Sequence, residues 1–511
     1  MVGVGVTMGR MTDESAYDTY ASPLALRNAS AEMLRIWSPR QKFDTWRRIW
    51  LAVAQAQHEA TADWAKPLVT AEQVQALRAV VEAGIGDQEI RRAAELEREL
   101  RHDVMAHVHC LGERCPPARG IIHLGCTSQD VVCNADLALL GMSRRLIHLK
   151  LVRLVVALGE LAERTRTIPT LGLTHYQPAQ PTTVGRRAAG WGEDLALCEP
   201  RLAEPPAGLA LRGLRGATGT QASFLQLLGD GRLVDRVEAL FIERLVEAMP
   251  QAFPGRRACL LTGQTYPRVL DAMILADLAC VAAVVHKIAT DLRLLSNRKE
   301  VDEPFGRSQI GSSAMPYKRN PMKCERACGL SRFVMNLLSN ATDTAATQWL
   351  ERTLDDSSNR RLTLPEAFLA LDGALDLMHQ VVQGLVVHEA FVRRNLLAEL
   401  PFLATENILM EAVKAGGDRQ ALHEKIRVHA QAAGMRVKQQ GLDNDLIERL
   451  RGDEAFSSVH HLLTEDQLLD PMRYVGRATE QVDRFLAERV RPLRDRYAGE
   501  LDRLPVSDRG V

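Results

Sequence analysis

Between residues 311 and 325 the chain reads GSSAMPYKRNPMKCE, with serine, lysine, arginine and glutamate set among glycine and proline and almost no apolar periodicity. Such a segment is either a solvated connector or a place where an anion is held and a proton moved. Four further stretches carry related chemistry. LRHDVMAHVH (100–109) contains His102, Asp103, His107 and His109. It lacks the HExxH spacing of a helical zinc site, so a charged helix end with a His–Asp hydrogen bond is the better reading, and no metal is expected. IIHLGCTSQDVVCNADL (121–137) sets Thr127, Ser128 and Asp130 where a long helix begins. They make a good N-cap, and the same hydroxyls and amides suit an anionic substrate at the positive helix end. THYQPAQPTTVGRR (174–187) places Thr174 and His175 before carboxamides and prolines that do not form a helical face. A histidine there is a structural residue or a general acid or base near neutral pH. ERTLDDSSNRR (351–361) spaces Arg352, Ser357 and Arg361 within about three helical turns, suited to phosphate and equally to an ordinary surface.

Long helices must position these segments. Apolar residues recur at three and four in 42–60, 133–165, 268–296 and 329–350. Alternating strand patterns and Asn-Gly hairpin signals are nearly absent, so the fold class is all-α. Helices near thirty residues span about 45 Å and must bury an apolar face along that whole length, against one another or against other subunits. Proline and glycine interrupt the pattern at 202–220 and 299–321, and 386–396 reads as the passage into a final domain. The 511 residues exceed what one core supports. With 64 basic and 64 acidic residues, the balance argues against a dedicated nucleic-acid or membrane-surface binder. Nine cysteines at no disulfide or zinc spacing, and no secretory signal or membrane-spanning run, fit a soluble cytoplasmic protein.

In this order GCTSQD, THYQPAQPTT and GSSAMPYKRNP resemble the three signature regions of the fumarase/aspartase superfamily. RHDVMAHVH, TGTQASFLQL, LTGQTY, QWLERTLDDS and KAGGDRQALHEKIR narrow the likeness to its adenylosuccinate-cleaving branch, over nearly all the chain from SPLALRNAS (22–30) to GRATEQVDRFL (476–486). The resemblance implies β-elimination of fumarate from succinyl-AMP and from a succinylated aminoimidazole carboxamide ribotide, steps of purine nucleotide synthesis, with no metal or organic cofactor. It implies three helical domains: 1–127, a central long-helix bundle at 128–387 bearing the catalytic loop, and 388–511. The central bundle would build a twenty-helix core in a homotetramer whose active sites are shared between subunits.

The resemblance also assigns roles. Ser312 is the base, on a lid that closes over substrate, and His175 the general acid oriented by Glu325. Lys318 and Asn320 bind the substrate carboxylate. His102 and Asp103 are a second pair that positions substrate, and Thr127, Ser128, Thr174 and Gln264 are substrate contacts. Arg27, Arg352, Ser357 and Arg361 hold phosphate and nucleotide, and Arg326 the succinyl portion. Two positions depart from the pattern: Asn28 stands where a substrate-contacting tyrosine is usual, and Cys133 where aspartate is often found. Two rival readings are another fumarate-releasing lyase of the superfamily, such as one splitting argininosuccinate, and a catalytically silent structural relative.

Overall fold

In the computed structural model of the chain, residues 18–203, 210–253, 257–306, 308–464 and 470–505 are described. The N-terminal part is built from helices α1 (Ala31–Ile36), α2 (Pro39–Ala60), α3 (Ala71–Glu82), α4 (Asp87–Leu100) and α5 (Asp103–Arg114). Side-chain caps start several of them: Ser38 accepts from Gln41 N–H, and Thr70 and Gln73 form a reciprocal capping box. Then follow α6 (Ser128–Arg164), α7 (Val184–Ala203), α8 (Ala222–Leu228), α9 (Gly231–Ala248), α10 (Val269–Asn297), α11 (Met322–Ala346) and α12 (Asp355–Gln383). Helix α6 packs on α7 and α12, and α10 on α11, α12 and α7, giving a bundle of five long helices.

Helix α6 runs 37 residues and is buried on most sides, from Val131 to Ala162, as expected for an apolar helix at the centre of a bundle. Helix α10 is long and apolar enough by composition to cross a membrane, yet it packs within the bundle. Part of its apolar surface stays uncovered: Val269, Met273 and Leu294 are exposed, as are Leu197 on α7, Phe333 on α11 and Leu362 on α12.

Beyond the bundle lie α13 (Glu389–Leu403), α14 (Thr405–Lys414), α15 (Arg419–Gln440) and α16 (Leu446–Arg451). Residues from Ala404 to Leu463 form their own apolar cluster around Phe456 and Ala433. The chain then returns through α17 (Ala478–Phe485) and α18 (Arg491–Leu501) to the main core, where Phe485 and Val490 pack against Gly192 and Gly159.

One element differs from the sequence expectation. The THYQPAQPTT stretch belongs to an antiparallel hairpin of β1 (Pro169–Thr174) and β2 (Gln177–Thr183). His175 and Tyr176 form its two-residue turn, both with positive φ (56° and 59°), the conformation of a type I′ turn usually supplied by Asn-Gly. Pro178 and Pro181 face Leu173 and Leu171 in the register. A two-stranded ribbon has two edges, so prolines that cannot donate to a ladder are tolerated there. Two short strands, β3 (Val301–Asp302) and β4 (Val386–Val387), pair at the far end of the bundle.

Two buried histidines make the fold acid-sensitive. Burial, with Arg47 and Lys42 nearby, pushes His107 down to about 4; burial, with Arg153 and Lys150, does the same to His379. His107 stacks on Phe43 at 3.8 Å in the core. The unfolded chain therefore takes up protons that the folded chain refuses between pH 6.5 and 4, so stability is full above pH 6.5 and falls below it. Each group accounts for up to about 3 kcal/mol. His379→Gln is expected to show a smaller drop in denaturation midpoint between pH 7 and pH 4.5 than the parent. Parallel pH curves would remove His379 from this account.

Candidate active site

Asp130 organises the GCTSQD segment. Its carboxylate closes the α6 capping box by accepting Thr127 N–H at 2.7 Å. It also accepts from Arg215 N–H at 2.8 Å and Gly216 N–H at 3.1 Å, and pairs with the Arg212 guanidinium. Both Asp130 and Arg212 are fully buried, so losing either partner would leave the other as an unpaired interior charge. Thr127 and Ser128 are thereby fixed at the positive end of a very long helix.

His102 is the N-cap of α5. Its Nδ1 accepts from Met105 N–H at 3.4 Å, which leaves the proton on Nε2 to donate to Ser128 Oγ at 3.2 Å. Asp103 lies beside it, with 3.8 Å between carboxylate and Nδ1, and pairs with Arg361 at 3.3 Å. Helices α5, α6 and α12 thus bring His102, Asp103, Ser128 and Arg361 together.

Three loops noted in the sequence stack next to this group. At Gly219 (φ 87°) an added Cβ would fall 1.9 Å from the Thr262 carbonyl oxygen, and at Gly263 2.5 Å from that of Glu351. The TGTQAS, LTGQTY and QWLERT segments therefore lie backbone on backbone, which only glycine permits. Gln264 N–H donates to Glu351 O at 3.1 Å, and Arg352 Nη1 donates to Gln264 Oε1 at 3.0 Å. Arg352 sits in the turn before α12, whereas Ser357 and Arg361 are helical.

These last three line a cavity of about 200 Å³. Lys42, Arg268 and Arg360 line it too; sequence reading missed Lys42 and Arg268 because no local spacing ties them to the 351–361 segment, and it passed over Arg360 inside that segment in favour of Arg361. Arg268 and Arg360 are neutralised by Asp356 at 2.6 Å and by Asp271 at 2.6 Å and Asp136 at 3.1 Å. Lys42 is not so matched: burial pushes its ammonium down, and Arg361 adds to that against Asp136, Asp103 and Glu97. Four carboxylates partner the five cations, and the surplus positive charge, centred on Lys42, favours an anion.

A second group lies along the bundle. Arg326, in the first turns of α11, donates through Nε to Asn28 Oδ1 at 2.7 Å and through Nη2 to the Arg27 carbonyl oxygen.

The GSSAMPYKRNP loop forms a third. Its ends are pinned by consecutive acids: Asp302 pairs with His388 at 3.0 Å, and Glu303 caps α11 by accepting Lys323 N–H at 3.0 Å and Cys324 N–H at 2.6 Å. Within the loop, Asn320 Nδ2 donates to Gly311 O at 2.9 Å, and an added Cβ at Gly311 would lie 2.1 Å from Lys318 O. Ser312 Oγ accepts Met315 N–H at 3.2 Å. Lys318 and Glu325 are exposed, and Ser312 and Asn320 half-buried.

Thr174 and His175 make a fourth group at the exposed hairpin tip. No hydrogen bond or ion pair joins His175 to Glu325 or to Ser312 among the described residues. The chain does not bring all its candidate residues into one pocket. From Arg361 to Gly384, which Pro304 at the base of the loop abuts, α12 spans about 34 Å.

Comparison with known proteins follows the same segments. Residues 25–336 match the family described as Lyase, and residues 401–485 the one described as adenylosuccinate lyase C-terminus. The chain is 47% identical to adenylosuccinate lyase of Saccharomyces cerevisiae over 476 residues, covering 93% of this chain and 95% of that protein. It is 41% identical to that of Schistosoma mansoni over 479 residues, covering 93% and 96%. Among solved structures it superposes on 3-carboxy-cis,cis-muconate lactonizing enzyme from Pseudomonas putida with a TM-score of 0.76 at 26% identity, covering 92% of this chain and 99% of that one. A fumarate lyase from Mesorhizobium sp. BNC1 shares the fold with a TM-score of 0.75 at 22% identity, covering 92% and 100%.

Proposed function

The chain belongs to the adenylosuccinate lyase family, and from that premise we propose how its own residues divide the reaction. It is a carbon–nitrogen lyase that releases fumarate from succinyl-AMP, leaving AMP, and from the succinylated aminoimidazole carboxamide ribotide, leaving the free carboxamide ribotide. The observation that carries the reading furthest is the cation-lined cavity beside the His102–Ser128 pair. Arg352, Ser357 and Arg361 there take the phosphate, with Gln264, Thr127 and Ser128 along the nucleotide, and Asp103 holding Arg361 in place.

The elimination begins when a base takes the proton from the carbon next to a carboxylate. Ser312 does this as its alkoxide. A serine hydroxyl is a poor base unless its anion is stabilised, and the Met315 N–H already directed at Oγ is such a donor. The electron pair spreads onto the carboxylate held by Lys318 and Asn320, then forms the carbon–carbon double bond as the C–N bond breaks. His175, oriented by Glu325, gives a proton to the leaving nitrogen.

No hydrogen bond or ion pair joins His175 to Glu325 among the described residues, and the His102 group and the serine loop lie at opposite ends of the bundle. We therefore propose a homotetramer in which each site takes residues from different subunits, the exposed apolar surface of α7, α10, α11 and α12 being the association surface. The nine unpaired cysteines support a reducing, cytoplasmic location.

Fumarate release from succinyl-AMP, measured against argininosuccinate, tests the function. Turnover of argininosuccinate alone would overturn it. A backbone test follows from the loop: Gly311→Ala forces Lys318 O away from a 2.1 Å clash and so displaces Lys318. At least about a tenfold loss in kcat/KM is expected with the fold intact. Unchanged kinetics would show that the position of Lys318 does not matter.

A further inference from the structure

Arg326 is held by neutral oxygens alone. Its Nε and Nη2 donate to Asn28 Oδ1 and to the Arg27 carbonyl, and no carboxylate pairs with it among the described residues. Nη1 makes no protein hydrogen bond there, and a second guanidinium, Arg27, stands close enough to oppose its charge. A half-buried cation in that state gains from an anionic ligand.

Asn28, by contrast, is committed to the protein at both ends of its carboxamide. Oδ1 takes the Arg326 bond at 2.7 Å, and Nδ2 donates to Pro23 O at 2.9 Å. The backbone beneath is fixed. Asn28 O lies so close to Gly373 that a Cβ there would approach it to 2.6 Å. Two residues on, Ser30 donates from N at 2.6 Å and from Oγ at 3.2 Å to Asp372, which is fully buried and held by Lys150 at 2.5 Å. A chain of contacts thus runs from α6 through α12 and the Arg27–Ser30 turn to the guanidinium on α11.

We propose that Asn28 is a positioning residue, which aims Arg326 at one carboxylate of the succinyl group and does not itself touch the nucleotide. This rests on the reading above, in which Arg326 meets the succinyl portion. The carboxamide satisfies one edge of the guanidinium without neutralising it, leaving the charge and Nη1 for the substrate. An acidic residue in the same place would cancel the charge that the ligand needs.

The test uses fumarate and AMP as separate product inhibitors of the full-length enzyme. Asn28→Ala and Asn28→Leu are both made, so that a packing fault in one does not decide the result. Each is expected to raise the inhibition constant of fumarate about tenfold, the scale of a hydrogen bond to a charged group. The constant for AMP stays within about twofold. In an Arg326→Ala background, itself weakened for fumarate, the Asn28 changes add nothing further, because they act through that side chain. An equal rise for AMP, or effects that multiply in the double variants, would overturn the proposal and make Asn28 a direct contact or a purely structural residue. A parent enzyme that releases no fumarate from succinyl-AMP overturns the functional reading along with it. A parent that does so, with Asn28 variants indifferent to fumarate, overturns this inference alone.

Discussion

Ser312→Ala is expected to lower kcat by about three orders of magnitude or more while KM stays within about threefold. The loss is large because the alkoxide is the only proposed proton acceptor at the substrate carbon. KM changes little because the proposed carboxylate and phosphate partners, Lys318, Asn320, Arg352 and Arg361, are untouched. The loop should also survive the change. Its shape depends on the Asn320–Gly311 bond, the close approach of Gly311 to Lys318 O and the Glu303 cap on α11, while Ser312 Oγ contributes one acceptor to Met315 N–H. A thermal midpoint close to that of the parent, with fumarate release followed in the same samples, separates loss of chemistry from loss of fold. Near-normal turnover would refute Ser312 as the base.

The helices were legible because burial imposes the 3.6-residue period and because Thr127 and Asp130 announce the start of α6 with residues that cap it. The β1–β2 hairpin was not. Its turn uses His175 and Tyr176 at positive φ instead of Asn-Gly, and its prolines read as breakers although a two-stranded ribbon accepts them. The candidate segments were visible as residue types in unusual order, but their grouping was not, since that depends on long-range packing. Arg326 meets Asn28 across 298 residues, and Arg361 meets Asp103 across 258. Lys42 and Arg268 carried no local signal at all, and Arg360 lay within the 351–361 stretch without being singled out. Each joins the cavity only because α2, α10 and α12 converge there.

Mixing two inactive variants is expected to restore activity, and the reason is distance. His102 is tied through Asp103 to Arg361 in the second turn of α12, whereas the serine loop starts beside the far end of that helix. The loop cannot reach back. Gly311 is bonded to Asn320, two residues before Met322, and the start of α11 is pinned by Glu303. Ser312 is therefore held within about five residues of α11, some 18 Å of chain at most, against the 34 Å or so between the two groups. A working site that needs both must take them from different chains. Ser312→Ala and His102→Ala should each be nearly inactive alone. Co-expressed in equal amounts and assembled at random, half the subunits offering a site His102 retain it and half of those offering Ser312 retain that. About a quarter of the sites are then complete, and roughly a quarter of parental fumarate release should return. If each chain built its own site, every site in the mixture would lack one group. Activity no higher than the average of the two variants, in tetramers shown to contain both chains, would sink the shared-site arrangement.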